Sequence, residues 1–463
     1  MKTRSRLTLL VAAASMTCAI QAAGPAWAQT QAQTQAQAQA QANTVDPAWF
    51  RTPEPQGTGA RTIPVRSGQS LQDALNRAKP GDVVEIHEGV HKASRGFVIL
   101  NSGTPSQWIT VRAAAGATPT LDLNNTGSFQ ITASNIVVEG LEIVNGLGDN
   151  IHISPWQGSI RNIIVRGMKI HSLKTGAGAA IKINRNNQIR ADVENVYIED
   201  SDLQQPINNA VVDGVGVRTA VVRNNWIHNP TQGNSGIFFK GGSSQVLIEG
   251  NLISGIRGNS ALMLGGNSGG QYFDPDFASQ EGVDQIARNN IIADYDDSAI
   301  EVRGVVRGAI YHNTIVGASP YTAFRLTYGN NAAGGRSGNQ QITISDNLVI
   351  HTAPTPMMYA WNDGNVGSFS VGPQLWAGLF KQYERNGLPT FPQKFDVPVS
   401  RYDVANIVRN PSYEGLAGLD DARSRYALTA RSPALGNASG LTRTLFDAVG
   451  EARAKMPSLG ALE

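Results

Sequence analysis

The chain of 463 residues carries 38 Lys and Arg against 36 Asp and Glu, a formal charge of +2, with 41% hydrophobic residues and one cysteine. So even a balance excludes bulk electrostatic attraction to nucleic acid or to an anionic membrane. A single thiol excludes a disulfide framework, so stability must come from a buried core.

At the N-terminus, Lys2, Arg4 and Arg6 precede an apolar stretch from Leu7 to Ile20, followed by Ala26-Trp27-Ala28. A basic start, a short apolar run and an A-x-A site predict a secretory signal peptide over residues 1–28. Its removal takes three cations and no acid, so the charge passes from +2 to −1. Cys18 leaves with it, and a thiol-free mature chain suits a secreted or periplasmic location. No later apolar run approaches the ~20 residues of a membrane span. Residues 29–43 alternate Gln with Ala and Thr, a low-complexity linker with nothing to bury.

"SGQSLQDALNRAKPGD" (67–82) predicts a capped helix, with Leu71, Ala74, Leu75 and Ala78 in one stripe and Pro80-Gly81 at its end. Placed at the start of the folded region, it would plug the N-terminal end of the core. "DVVEIHEGVH" and "QWITVRA" follow as early strands.

From residue 135 a pattern repeats: "NIVVEGLEI", "NIIVRGMKI", "NVYIEDSDL", "TAVVRNNWI", "QVLIEGNLI", "DQIARNNII", "GAIYHNTIV" and "QITISDNLV". Each is a β-branched run, a polar corner and a second apolar pair. The corners hold Leu141, Met168, Ser201, Asn225, Asn251, Asn290, Asn313 and Asn347. Five asparagines, one per repeat, predict an internal amide ladder in an all-β, right-handed parallel β-helix whose coils complete one another's core. A sandwich or propeller is disfavoured because hairpin signals are scarce. The β-helix is expected over 44–351, and 352–463 as an irregular segment that caps it and packs along it.

Between corners lies a second recurring strand: "NIHIS", "AIKIN", "AVVDG", "GIFFK", "ALMLG", "AIEVR" and "AFRLT". Its second and fourth residues are apolar, so the third and fifth face outward. One outward column then holds His152, Lys182, Val212, Phe238, Met263, Glu301 and Arg325. The other holds Ser154, Asn184, Gly214, Lys240, Gly265, Arg303 and Thr327. Asp213 falls inward unless a bulge turns it out. Coils stack about 4.8 Å apart, so Lys240 and Arg303 are expected to lean over Gly265 and converge. Gly241, Gly242, Gly265 and Gly266 open a trough, with Phe238, Tyr272 and Tyr295 as its aromatic walls.

A groove of cations and one carboxylate suits an extended acidic polysaccharide. On a uronate polymer the matching chemistry is β-elimination: loss of the C5 proton and departure of O4. A lysine serves as base only when neutral, which burial and neighbouring cations favour. An arginine stays charged and suits the uronate carboxylate or an enolate-like intermediate.

The capped helix, the asparagine corners and "FFKGGSSQVLIEGN" resemble the β-helix polysaccharide lyases of the chondroitinase B and alginate lyase type, and family nine pectate lyases. The resemblance implies Lys240 as base, Arg303 as its arginine partner, and Ca2+ on acidic ligands, for which Glu301, Asp297 and Asp213 are the candidates. Arg325, Lys182, His152, Tyr272, Tyr295 and Phe238 would contact substrate. The chain departs from the chondroitinase-like pattern at Gly265, where the rung after Lys240 lacks an arginine. The expected form is a monomer whose partner is an acidic polysaccharide. A uronate C5-epimerase and a non-catalytic exopolysaccharide-binding protein are the alternatives.

Overall fold

The computed structural model describes residues 46–463 except 173–177, 205–209, 229–234, 318–321, 357, 361–367, 382–405, 440–441 and 443. The predicted signal peptide and Gln-rich linker lie outside the described residues. The chain winds through three long sheets of twelve, eleven and ten strands, each paired in parallel with its neighbours. One coil runs from the first sheet (Ile136–Glu139) to the second (Glu142–Val144) and the third (Ile151–Ile153). It then returns to the first at Ile160–Arg166. This is a right-handed parallel β-helix. The predicted helix forms as α1 (Leu71–Arg77), capped by Ser70, whose hydroxyl accepts from the Asp73 N–H at 3.1 Å. Leu71, Ala74 and Leu75 join the core against the first strands.

The amide ladder holds coil against coil. Backbone N–H and Nδ2 of Asn225 both donate to Asn251 Oδ1 at 3.0 Å, and those of Asn251 reach Asn290 Oδ1 at 3.1 and 3.0 Å. The relay continues through Asn313 and Asn347, and ends on Gln374 Oε1. Each amide also donates to a carbonyl of the coil before it, as Asn290 does to Ile248 at 2.9 Å. These side chains are buried, so the ladder satisfies groups that could reach no water.

The repeat carries a second column that the corners obscured. Asn135, Asn162, Asn195, Thr219, Gln245, Asp284, Arg307 and Gln341, at or next to the start of each motif, are all left-handed, with φ between 53° and 61°. The sheet register skips them, for example between Arg161 and Ile163, so each bends its strand. Short polar side chains tolerate that conformation best, which accounts for the asparagines and aspartate.

The coil also runs past residue 351. Phe369–Val371 extends the first sheet, and Leu375–Lys381 pairs with Leu348–Pro356 in the second. Two outer faces are then covered. Phe50 lies on Val137, Ile164, Tyr197, Val221 and Leu247 of the first sheet, and Asp46 ties that arm down through Arg288 at 2.8 Å. The C-terminal region, with α2 (Leu419–Tyr426), packs Ile407, Val408, Tyr426 and Leu459 against late strands of the second sheet. The outer face of the third sheet carries the charged columns.

Candidate functional site

The site is built on seven strands of the third sheet: β1 (Ile151–Ile153), β2 (Ile181–Asn184), β3 (Ala210–Val215), β4 (Ser235–Lys240), β5 (Leu262–Gly265), β6 (Ser298–Arg303) and β7 (Thr322–Thr327). Inward residues such as Ile181, Ile183, Ile237, Phe239, Ile300 and Val302 are fully buried or nearly so, which fixes the register. The expected stacking holds with one correction. On β3 it is Asp213 that pairs with Lys182 and Phe238, while Val212 pairs inward with Ile181 and Ile237. No bulge is needed. Gly214 faces inward, where a Cβ would lie 2.2 Å from the Phe239 ring and no side chain fits, and the strand register runs one residue later than the repeat alone suggests.

The outward column therefore reads His152, Lys182, Asp213, Phe238, Met263, Glu301, Arg325. Beside it run Asn184, Val215, Lys240 on one side of β5 and Gly265, Arg303, Thr327 beyond. Lys240 is half-buried, and its stem lies along Gly266, where a Cβ would come within 2.8 Å of the lysine Cβ. Gly265 holds φ +73°, a turn that a side chain would strain. The amine ends 4.2 Å from the centre of the Phe238 ring, a cation–π contact of about 0.5–2 kcal/mol. Burial pushes the Lys240 ammonium below its ordinary range, and Lys182 adds to this against the opposing charges of Asp213 and Glu281. The cation expected to do this was Arg303; the one acting is Lys182.

Convergence of Lys240 with Arg303 is not what the side chains do. Lys240 folds back over Phe238, toward the Asp213 rung. Arg303 Nε donates to Thr327 Oγ1 at 3.0 Å and faces Glu301 at 3.2 Å. Arg325 reaches Asp297 at 3.2 Å and Glu301 at 3.5 Å. Glu301 is buried and also accepts from Ser260 at 2.7 Å and Thr327 at 2.9 Å. His152 Nε2 lies 2.6 Å from Asn184 Oδ1, and Nδ1 lies 3.6 Å from Asp149, whose carboxyl burial pushes up.

One wall is the 266–281 loop. It is pinned by Glu281, fully buried, which accepts from Gly241 N at 2.8 Å, Ser268 N at 2.5 Å, Ser268 Oγ at 2.8 Å and Asn330 N at 3.2 Å. Arg218 grips Asp274 at 2.5 and 2.7 Å, and Arg185 donates to the Phe273 carbonyl at 3.1 Å. Tyr272 stands on this loop, 56% exposed. Tyr295, expected as the other wall, is instead in the core with its hydroxyl on His351. Its ring turns inward because it packs beneath Gly317, where a Cβ would meet it at 3.0 Å.

The carboxylates do not fit a calcium ion, which takes six to eight oxygens. Lys182 holds Asp213, Arg325 holds Asp297, and two arginines face Glu301. Among the described residues no three His, Cys, Asp or Glu side chains gather around one point. Sequence reasoning missed Glu281, which sits at the end of an insertion with no pattern to mark it. It also missed Asp149, whose signal was its place three residues before His152, just ahead of the strand Ile151–Ile153.

No protein-family model matches the sequence, and neither does any curated protein. Solved structures similar to the chain include the alginate lyase from Paenibacillus sp. str. FPU-7, at 18% identity and TM-score 0.43 over 68% of this chain and 100% of that one. Pectate lyase Pel9A is similar at 13% identity and TM-score 0.47, covering 88% and 97%. The mannuronan C-5 epimerase AlgE4 A-module from Azotobacter vinelandii is similar at 16% identity and TM-score 0.48, covering 70% and 87%. All three scores lie below 0.5, and nothing about the site rests on them.

Proposed function

We propose that the protein is a secreted or periplasmic polysaccharide lyase that cleaves a uronate-containing polymer by β-elimination, with Lys240 as the base. The observation that carries this reading is the setting of Lys240: outward and half-buried in the trough beside Gly266, with burial lowering its proton affinity. A neutral amine in an open trough can take the C5 proton of a uronate. The polymer would lie along the β-helix axis, one sugar passing from rung to rung. Arg303, whose Nη groups have no described partner, and Arg325 would then meet uronate carboxylates further along the chain rather than the one at Lys240. Met263 and Phe238 give the sugar an apolar floor between the two charged stations.

The test is a panel of acidic polysaccharides followed by absorbance in the ultraviolet, which elimination raises through its unsaturated uronate. Epimerisation alters stereochemistry without shortening or absorbance, and a binder changes neither. Lys240→Ala should fold normally, because the side chain supports no core contact, and lose about 10²–10⁴-fold in rate, the usual contribution of a general base. The rate of the unmodified protein should climb with pH as Lys240 loses its proton, below the ~10.4 of an ordinary lysine. Wild-type turnover by Lys240→Ala would remove the assignment.

A further inference from the structure

Lys240 folds back along its own strand. Its amine lies over Phe238, the partner of Asp213 in the register, and Asp213 forms an ion pair with Lys182 on the next rung. One buried carboxylate thus holds Lys182 directly and lies one rung from the ring beneath the Lys240 amine, close enough for its charge to act on that amine. We propose that Lys182, working across Asp213 from Lys240, donates the proton to the departing O4. This rests on the lyase reading above.

The two amines have different settings. Lys240 is half-buried and, among the described residues, is bonded to no carboxylate, so it is the one suited to arrive neutral. Lys182 is an ammonium with a carboxylate directly on its Nζ. In the reaction, Lys240 Nζ takes the C5 proton, the C5–H electrons form the C4=C5 bond, and the C4–O4 electrons leave with O4. That oxygen takes a proton from Lys182. Lys240 ends as an ammonium and Lys182 as an amine, and a proton exchanged with solvent restores each. Asp213 holds the Lys182 amine in place through their ion pair, so Asp213 is a positioning residue. The charged groups facing Lys240 are Asp213 from β3, Lys182 from β2 and Glu281 from the wall loop; β5 presents only Met263.

Two measurements test this. In the first, the lysines are reductively methylated with ¹³C and titrated by NMR. The Lys240 signal should titrate higher in Lys182→Gln, lower in Asp213→Asn, and without change in Arg303→Gln. A shift in Arg303→Gln alone would overturn the placement. In the second, rates are compared on the polymer giving the largest absorbance rise and on a uronate carrying 4-nitrophenoxide at C4, a leaving group that needs no proton. Compared at a pH high enough for Lys240 to be neutral in both proteins, Lys182→Gln should lose about 10²–10⁴-fold more on the polymer than on the nitrophenoxide. Lys182→Arg keeps the ion pair and the fold but not a transferable proton, and should behave the same way. Equal losses on both substrates, or the discriminating pattern in Arg303→Gln instead, would overturn the proposal. Failure of the lyase reading is distinct: Lys240→Ala would then turn over both substrates, or no polymer would be cleaved at all.

Discussion

Replacing Glu281 with glutamine should loosen the groove wall without unfolding the β-helix. The carboxylate receives four donors, two on each oxygen. An amide offers one oxygen, so its NH2 must face either Gly241 N–H or the two N–H groups of Ser268 and Asn330. The first arrangement is the milder, because the Ser268 hydroxyl can rotate to accept. It leaves one buried N–H without a partner, about 1–3 kcal/mol, and weakens the two remaining N–H bonds by about 1 kcal/mol each through loss of charge. The sum is about 3–5 kcal/mol, or roughly a 10²- to 4 × 10³-fold rise in local opening at ~1.4 kcal/mol per decade. Hydrogen exchange followed by mass spectrometry reads this directly. Peptides covering 240–242 and 266–281 should exchange faster by that factor, while peptides from the asparagine ladder stay as they were. Exchange of the loop within about threefold of wild type would refute the reasoning, since it would mean the four contacts do not act together.

Asn290→Leu should cost about 2–6 kcal/mol, because the Asn251 N–H and the Ile248 carbonyl each lose a buried partner worth about 1–3 kcal/mol; an unchanged guanidinium midpoint would contradict the ladder. Tyr295→Phe should leave KM on the polymer unchanged and lower stability by about 1–2 kcal/mol through the lost bond to His351. A raised KM would return Tyr295 to the groove.

Much of the fold was legible because it repeats. Eight copies of one motif allowed the coils to be superposed, and the asparagine corners located the ladder that the hydrogen bonds describe. The helix at Leu71–Arg77 was legible from local capping and an apolar stripe. At the site, the same superposition placed Lys240, Glu301, Arg303 and Arg325 on one face, and their register bears this out. What failed were features set by volume rather than period. The position of Asp213 depends on a glycine vacating room for Phe239, which alternation of apolar residues cannot express. Tyr295 sits in a turn, where no two-residue period says which way a ring points. The bend of Lys240 is decided by a ring on its own strand and a bare backbone beside it. The anchoring of the wall by Glu281 joins residues forty positions apart through a loop of its own length and contacts.

A solenoid is held together by neighbours only, so it can fray from either end one turn at a time. The 266–281 segment breaks that rule. Starting from the coil of Leu262–Gly265, it reaches back to Gly241, Arg218 and Arg185, and is met from ahead by Asn330 and Ala332. It acts as a splint laid lengthwise over several turns, so those turns must melt as a block and their spacing cannot stretch. On the lyase reading proposed above, such a splint would hold the rungs at one spacing along a polymer with regularly placed charges, where the lysines stand.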